Sequence, residues 1–483
     1  MSRRAERTYE DAVKLLNSRR RNVRPNVPSN AATGLVSMPH ASSLKGKPSL
    51  SGMKSWLRHL GHLDSDIDEL NVIHVAGTKG KGSTCAFVDS FLAAHGQRTG
   101  FPKRIGLYTS PHLKRVQERI RIDSRPISTD LFARYVFEVW DGLKEFDTDG
   151  PRYLQMLMLV AVHTFLSERV EVAICETHNG GEFDATNIFR QPVATGISTI
   201  GMDHVEQLGP SIENIASHKA GIFKAGSPAF STLQDPLAAA ILEDRANKKG
   251  VELQYVGVNP VLPDDAPSLG PSVQRSNASL ALALTDTLLM RKQNDKMSAE
   301  DIRNGALRFS WPGRFHRISQ GSQEWFIDGA HNDISVEIAA NWFADVVGQD
   351  QSHATAIPRL MIFSHISERD GAALLSCIAK TLKLRGIILQ RLIISTYDQR
   401  LDGINDIDRC YRPPVPDLSV GIKENYSRTW HSIFPETQAI FEPTIEGAIN
   451  IARQYGEPSG AQILITGSLY LVGGALRVLE PDV

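Results

Sequence analysis

Residues 72–84 read Val-Ile-His-Val-Ala-Gly-Thr-Lys-Gly-Lys-Gly-Ser-Thr, and an apolar helical pattern follows as far as His95-Gly96. An apolar strand runs into a glycine-rich turn, then Lys81 and Ser83, then a helix with Phe87, Val88, Phe91 and Leu92 on one face. A phosphate group needs this local chemistry. Small residues let backbone N–H groups approach its oxygens, a helix N-terminus adds positive potential, and a lysine neutralises charge. Gly77 to Lys81 spans only four steps, a tighter spacing than the common GxxxxGK[ST] loop. The bland alternative is an ordinary glycine turn between strand and helix.

Outward from this loop, apolar strands alternate with helical periodicities almost throughout. The strand pattern falls at Val72–Ala76, Val170–Cys175, Val193–Ile200, Trp325–Ile327, Leu360–Phe363, Leu392–Ser395 and Gln462–Ile465. Helical periodicity marks Leu131–Leu143 and Leu237–Asn247, and Leu154–Leu166 reads as a buried helix too short to span a bilayer. Such alternation predicts an α/β chain of parallel sheets flanked by helices. Asn259–Gly270 is proline-rich and reads as an exposed loop, and Asn405–Glu436, with Pro413, Pro414, Pro416 and Pro435, as a long surface excursion. Trp311-Pro-Gly-Arg314 breaks the pattern before a new strand–helix series. The expected domains are therefore residues 1–312, carrying the phosphate loop, and residues 313–483.

A chain of 483 residues has room for two or three cores, and 41% hydrophobic with 22% charged residues is ordinary for a globular protein. A formal net charge of −1 argues against a nucleic-acid partner. The four cysteines, Cys85, Cys175, Cys377 and Cys410, have neither metal-ligand nor disulfide-framework spacing, which fits a reducing compartment. Arg3, Arg4, Arg7, Arg19, Arg20, Arg21 and Arg24 hint at a mitochondrial transit segment, but Glu6, Glu10 and Asp11 interrupt it. Cytoplasm is the expectation and the mitochondrion the alternative.

Four further segments carry chemistry. Thr109-Ser110-Pro111-His112-Leu113 precedes Arg115, Arg119 and Arg121, which either steer an anionic chain or line a solvated strand face. Glu176 closes one strand and precedes Gly180-Gly181-Glu182-Phe183-Asp184-Ala185-Thr186-Asn187, while Asp203-His204 follows another. Ligands of open parallel sheets bind beyond the carboxyl ends of strands, so Glu176 and His204 belong on the edge of the phosphate loop, as a divalent-cation shell. Either could instead be structural, as a turn cap or a satisfied histidine. In Ser211–Ala220, Lys219 shares the inward face with Ile212, Ile215 and Ala216, where an unpaired ammonium is costly. Phosphate, Glu176 or conversion to a carbamate would each answer it.

The set GTKGKGST, TSPHL, E…GGEFDATN, GMDH, KAGIFKAG, WPGR, DGAHN, SERD and TGSLYLVGG resembles the folylpolyglutamate synthase family of the Mur-ligase superfamily over roughly residues 8–480. The segment Phe101–Gly106 looks like the fungal branch. The resemblance implies a Mur-ligase-like P-loop ATPase domain followed by a smaller Rossmann-like domain; a monomer without membrane insertion is the expectation. The resemblance also implies that Gly80, Lys81, Gly82 and Ser83 hold ATP phosphates, that Ser110, Glu176 and His204 are magnesium ligands, and that Lys219 matches a lysine carbamylated in some members. Arg314 and Asp328 match residues that hold ATP from the second domain, Asn277 lies on the nucleotide side, and His331 neighbours the reacting groups. The implied reaction joins L-glutamate to the γ-carboxylate of tetrahydrofolate or its polyglutamates through an acyl phosphate. It uses ATP and Mg2+, with room for a monovalent cation such as K+.

Three departures stand out. Thr177-His178-Asn179 replaces the family's valine- and glycine-rich turn, His218 replaces a common glutamate, and Pro271-Ser272-Val273-Gln274 replaces Gly-x-His-Gln. They admit a paralogous ligase with a non-folate carboxylate acceptor, or an inactive ATP-binding scaffold.

Overall fold

The computed structural model describes residues 7–20, 49–146, 150–349, 357–366, 370–403, 407–408, 418–457 and 459–481. Expectations resting on Arg3, Arg4, Glu6, Arg21, Arg24, Ser367, Glu368, Arg369, Cys410, Pro413, Pro414 and Pro416 lie outside the described residues. The chain divides into two compact units, Met1–Pro111 with Gln117–Phe309, and His112–Val116 with Ser310–Val483.

The first unit is built on β1 (Ile73–Ala76), β2 (Ile105–Tyr108), β3 (Ile120–Ile122), β4 (Arg125–Pro126), β5 (Val172–Glu176), β6 (Ala194–Ile197), β7 (Ala229–Thr232) and β8 (Leu253–Val256). Among the described residues these form one eight-stranded sheet in the order β4-β3-β2-β5-β1-β6-β7-β8. Every residue of β1, β2, β5, β6 and β7 is buried, the sign of parallel strands covered on both faces. The sheet is not wholly parallel. β3 pairs antiparallel with both β2 and β4, and Asp123 and Ser124, at φ 51° and 67°, make the two-residue turn between β3 and β4. Since β1 lies between β5 and β6, the loop after it emerges at the sheet centre, where strand order reverses.

The helix after this loop, Lys81–Thr99, is buried around most of its circumference, not on one face. Helices Ser272–Gln293 and Ala299–Arg308 pack against it. It therefore carries a buried carboxyl, Asp89, whose pKa burial pushes up to about 6 against a Ser124 hydrogen bond and the Arg121 charge. The folded state thus binds a proton that the unfolded state releases near pH 3.8. Stability from this group is complete below that pH and is lost as pH rises through about 6, by about 3 kcal/mol. Asp89→Asn is expected to raise the Tm relative to the parent more at pH 7.5 than at pH 5; a difference independent of pH would contradict this.

Asn259–Gly270 is less exposed than its prolines suggest, because Leu262, Ala266 and Leu269 are buried. Leu154–Leu166 lies in the buried helix Tyr153–Ser167. No helix among the described residues is long and apolar enough to cross a membrane.

In the second unit, β9 (His316–Gln320), β10 (Gln323–Ile327), β11 (Arg359–Phe363), β12 (Arg391–Asp398), β13 (Gln438–Thr444) and β14 (Ala461–Thr466) form, among the described residues, a six-stranded sheet. Its order is β13-β12-β11-β14-β10-β9, parallel except for the β9–β10 hairpin. Alternate residues feed two cores, one with Phe326, Phe363 and Leu464, the other with Ile327, Ile362 and Ile465. The expected surface excursion contains the helix Val420–Ile433, which buries Tyr426, Trp430 and Ile433. His112–Val116 belongs here: Val116 N donates to Asp408 Oδ1 at 3.0 Å, and a Cβ on Gly473 would lie 2.4 Å from Leu113 O.

Candidate active site

The loop after β1 has the close approaches its glycines imply. Gly77 has φ 148°, and a Cβ there would fall 1.9 Å from Ser198 Oγ. Gly80 has φ 84°, and its Cβ would strike Asn277 Oδ1 at 2.2 Å. Thr78 N and Lys79 N donate to Thr199 O, tying the loop to the segment after β6. Asn277, from the helix Ser272–Gln293, reaches the loop despite the altered motif before it, and its Nδ2 donates to Gln274 Oε1 at 2.8 Å. Gly80, Lys81, Gly82 and Ser83 thus sit at the start of the helix Lys81–Thr99 with Asn277 beside them.

Lys81 Nζ lies 3.8 Å from Glu176 Oε1, and Glu176 Oε2 accepts from Ser110 N at 2.9 Å. These contacts join the ends of β2 and β5 to the phosphate loop. Lys79, a loop lysine the sequence did not single out, pairs with Asp203 at 2.9 Å. His204 is next to Asp203 in the left-handed conformation, φ 49°, unusual for a residue with a Cβ. Although its surface is open to water, partial burial of its ring, with the charges of Lys81, Lys219 and Lys79, pushes its pKa down to about 4 against the pull of Asp203.

Lys219 is buried as expected, but its partners are not anions. Nζ donates to Gly77 O at 2.6 Å and Asn179 O at 3.3 Å. Burial first, then the Lys81 charge, holds its pKa well below the ordinary lysine value. An amine made partly neutral in this way can react with carbon dioxide. Its position is set by glycine packing: a Cβ on Gly181 would lie 2.3 Å from His218 O, and one on Gly221 2.2 Å from Glu182 Cβ. Asn187 Nδ2 closes the seam by donating to Glu182 O and Gly221 O. Gly181→Ala should therefore lower stability by about 1–3 kcal/mol, read by denaturant unfolding. Parent-like stability would show that the seam yields freely. His218, which replaces the usual glutamate, packs edge-on against Phe183 at 5.7 Å.

Among the described residues no group of three or more His, Cys, Asp and Glu side chains is arranged to hold a metal. Of the expected ligands, the Glu176 carboxylate and the Ser110 hydroxyl are the hard oxygen donors that a magnesium ion prefers, and phosphate oxygens and water would supply the rest. The arginines behave differently from a solvated face. Arg119 is buried with its guanidinium 6.0 Å from the Tyr153 ring centre, burial lowers the pKa of Arg121, and Arg115 belongs to the second unit. Cys85 and Cys175 are buried, and burial pushes both thiols up, as suits small core residues.

In the second unit, Arg314, Asp328 and His331 gather around the end of β10. Asp328 accepts from Phe315 N and Ala330 N, each at 2.9 Å, and burial raises its pKa against the Arg314 charge. Gly329 leaves room for Arg314, since a Cβ there would lie 2.5 Å from Nη1. His331 Nδ1 lies 2.9 Å from Gly329 O.

No protein-family model matches the chain. Curated relatives do. It is 39% identical over 504 residues to the folylpolyglutamate synthase of Neurospora crassa, covering 98% of this chain and 92% of the relative. Identity is 35% over 499 residues with a probable folylpolyglutamate synthase of Schizosaccharomyces pombe (99% and 95% covered), and 34% over 501 residues with folylpolyglutamate synthase of Saccharomyces cerevisiae (98% and 87%). Among solved structures, Mycobacterium tuberculosis folylpolyglutamate synthase complexed with ADP and AMPPCP superposes with a TM-score of 0.70 at 23% identity, covering 90% of this chain and 96% of that one. The Thermotoga maritima enzyme gives 0.67 at 24% identity, with 90% and 94% covered. The solved structures establish the Mur-ligase-type α/β fold, and the fungal relatives establish kinship: the chain belongs to the folylpolyglutamate synthase family.

Proposed function

We propose that this chain is an ATP-dependent ligase that adds L-glutamate to the γ-carboxylate of tetrahydrofolate or its polyglutamates. The observation that carries it is the phosphate loop with Lys81 Nζ 3.8 Å from Glu176, in a chain 39% identical to a folylpolyglutamate synthase across 98% of its length. A γ-carboxylate oxygen attacks the γ-phosphorus of ATP and ADP leaves. The glutamate amine then attacks the acyl carbonyl, loses a proton, and phosphate departs. Gly80, Lys81, Gly82 and Ser83 bind the phosphates, with N–H groups and the Lys81 ammonium offsetting the charge that develops in phosphoryl transfer. Ser110, Glu176 and His204 would hold magnesium, which when bound would supply Lewis acidity and orientation. Arg314, Asp328 and His331, gathered at the end of β10, are the second unit's candidates for nucleotide and substrate binding. Carbamylation of Lys219, whose amine donates to Gly77 O and Asn179 O, would supply a further anionic ligand.

The test uses folate labelled with 18O in its γ-carboxylate, with ATP, magnesium and glutamate. Transfer of one label into inorganic phosphate is the expected result. Unlabelled phosphate would overturn the acyl-phosphate route, and ATP binding with no ADP release would overturn ligase activity.

A further inference from the structure

The turn after Glu176, Thr177-His178-Asn179, departs from the family pattern, and the metal and nucleotide assignments leave His178 unused. Its ring is buried. Nε2 lies 2.7 Å from the Tyr108 hydroxyl and Nδ1 3.1 Å from Asp184 Oδ1. Burial alone would raise the pKa of Asp184, but His178 and the Thr186 donors outweigh it and hold the carboxyl well below its usual range. A carboxylate only accepts, so Nδ1–H faces Asp184, and Nε2 shares the second hydrogen bond with the Tyr108 hydroxyl. Asp184 also accepts from Thr186 N at 3.1 Å, Thr186 Oγ1 at 3.0 Å and Gly180 N at 3.3 Å. Thr186 Oγ1 is in turn 3.0 Å from His74 Nε2 on β1.

The location of this chain of contacts gives it a role. Tyr108 is two residues before Ser110 and His178 two residues after Glu176, so Tyr108–His178 crosses the gap that Ser110 N to Glu176 Oε2 also crosses. On the other side of the turn, Asn179 O accepts from Lys219 Nζ. A displaced His178 therefore moves Glu176 against Ser110 and moves an acceptor of the Lys219 amine. A buried polar chain need not stabilise a fold better than apolar packing, whereas it fixes geometry closely. We propose that Tyr108, His178 and Asp184 are positioning residues that set the spacing of Ser110, Glu176 and Lys219 for a nucleotide-bound divalent cation. This rests on the metal role given above to Ser110 and Glu176.

The test is Mn2+ binding to the full chain with the non-hydrolysable analogue AMPPCP, read from the electron paramagnetic resonance signal of free Mn2+. Tyr108→Phe removes one hydroxyl at constant shape, and His178→Ala removes the bridge. Both are expected to weaken Mn2+ binding, by about 10-fold or more, as loss of residues that orient metal ligands does. His178→Gln, whose amide can still face Tyr108, should recover part of it. AMPPCP binding without the cation should stay at the parent's value, and kcat at saturating Mg2+ should fall less than the half-saturating Mg2+ concentration rises. Unchanged Mn2+ affinity in Tyr108→Phe, with or without a lower Tm, would overturn the proposal, and that variant decides the matter if His178→Ala does not fold. Absence of Mn2+ binding in the parent would remove the metal role itself, and the proposal with it.

Discussion

Lys81→Ala is expected to lower kcat/KM for MgATP by about 10³-fold while leaving the unfolding midpoint close to the parent's. Lys81 is the first residue of the helix Lys81–Thr99, and its side chain is 13% exposed, so the ammonium meets the helix N-terminus in a partly dehydrated setting. There a charge acts more strongly than in water. Its neighbours do not substitute for it: Lys79 is paired with Asp203, and Lys219 donates to carbonyls with its pKa held down. Removal should spare folding, because helix packing rests on Phe87, Phe91 and Leu92, which are buried. Steady-state kinetics beside a thermal melt checks both halves. Parent-like turnover would contradict the phosphate-loop assignment, and a collapsed melt would make the loss one of folding.

Lys219→Arg is the second large effect, with turnover expected to fall at least about 100-fold at any bicarbonate concentration. The side chain is 2% exposed, and Gly77 O and Asn179 O enclose its amine. A guanidinium keeps its charge at neutral pH and cannot form the carbamate. Burial has already lowered the cost of deprotonating Lys219, so the parent should lose activity when carbon dioxide is stripped from the buffer and regain it with bicarbonate. Parent-like activity of Lys219→Arg would contradict the role. Activity indifferent to bicarbonate in the parent would restrict Lys219 to its carbonyl contacts.

The residues that were legible in the sequence are those whose identity is dictated by backbone geometry or by deep burial. Gly77 and Gly80 announce the loop because a Cβ has no space there, and β1, β5 and β14 are read from mostly apolar runs whose residues are all buried. Inward placement of Lys219 followed from helical spacing, whereas its carbonyl partners did not, since Gly77 and Asn179 lie far from it in sequence. β2, β3, β4, β7, β8, β9 and β13 are not among the strands read from the sequence, and in β2, β7 and β4 the reason is local. Gly106, Ser231 and Pro126 interrupt their apolar patterns, and their pairing comes from neighbours remote in sequence. The His178 bridge was invisible for the same reason: the sequence shows an odd histidine after Glu176, and only folding brings Tyr108 and Asp184 to its two nitrogens. Arg119 looked like part of a charged strand face because sequence spacing does not show that Tyr153 covers it.

The central claim is that this chain joins glutamate to a folate at the expense of ATP. Its most direct test is the mass of the pterin recovered after incubating purified protein with ATP, magnesium, glutamate and tetrahydrofolate. A gain of one or more glutamyl residues, matched by equimolar ADP, is the predicted result. A pterin of unchanged mass, from folded protein that binds ATP, would contradict it.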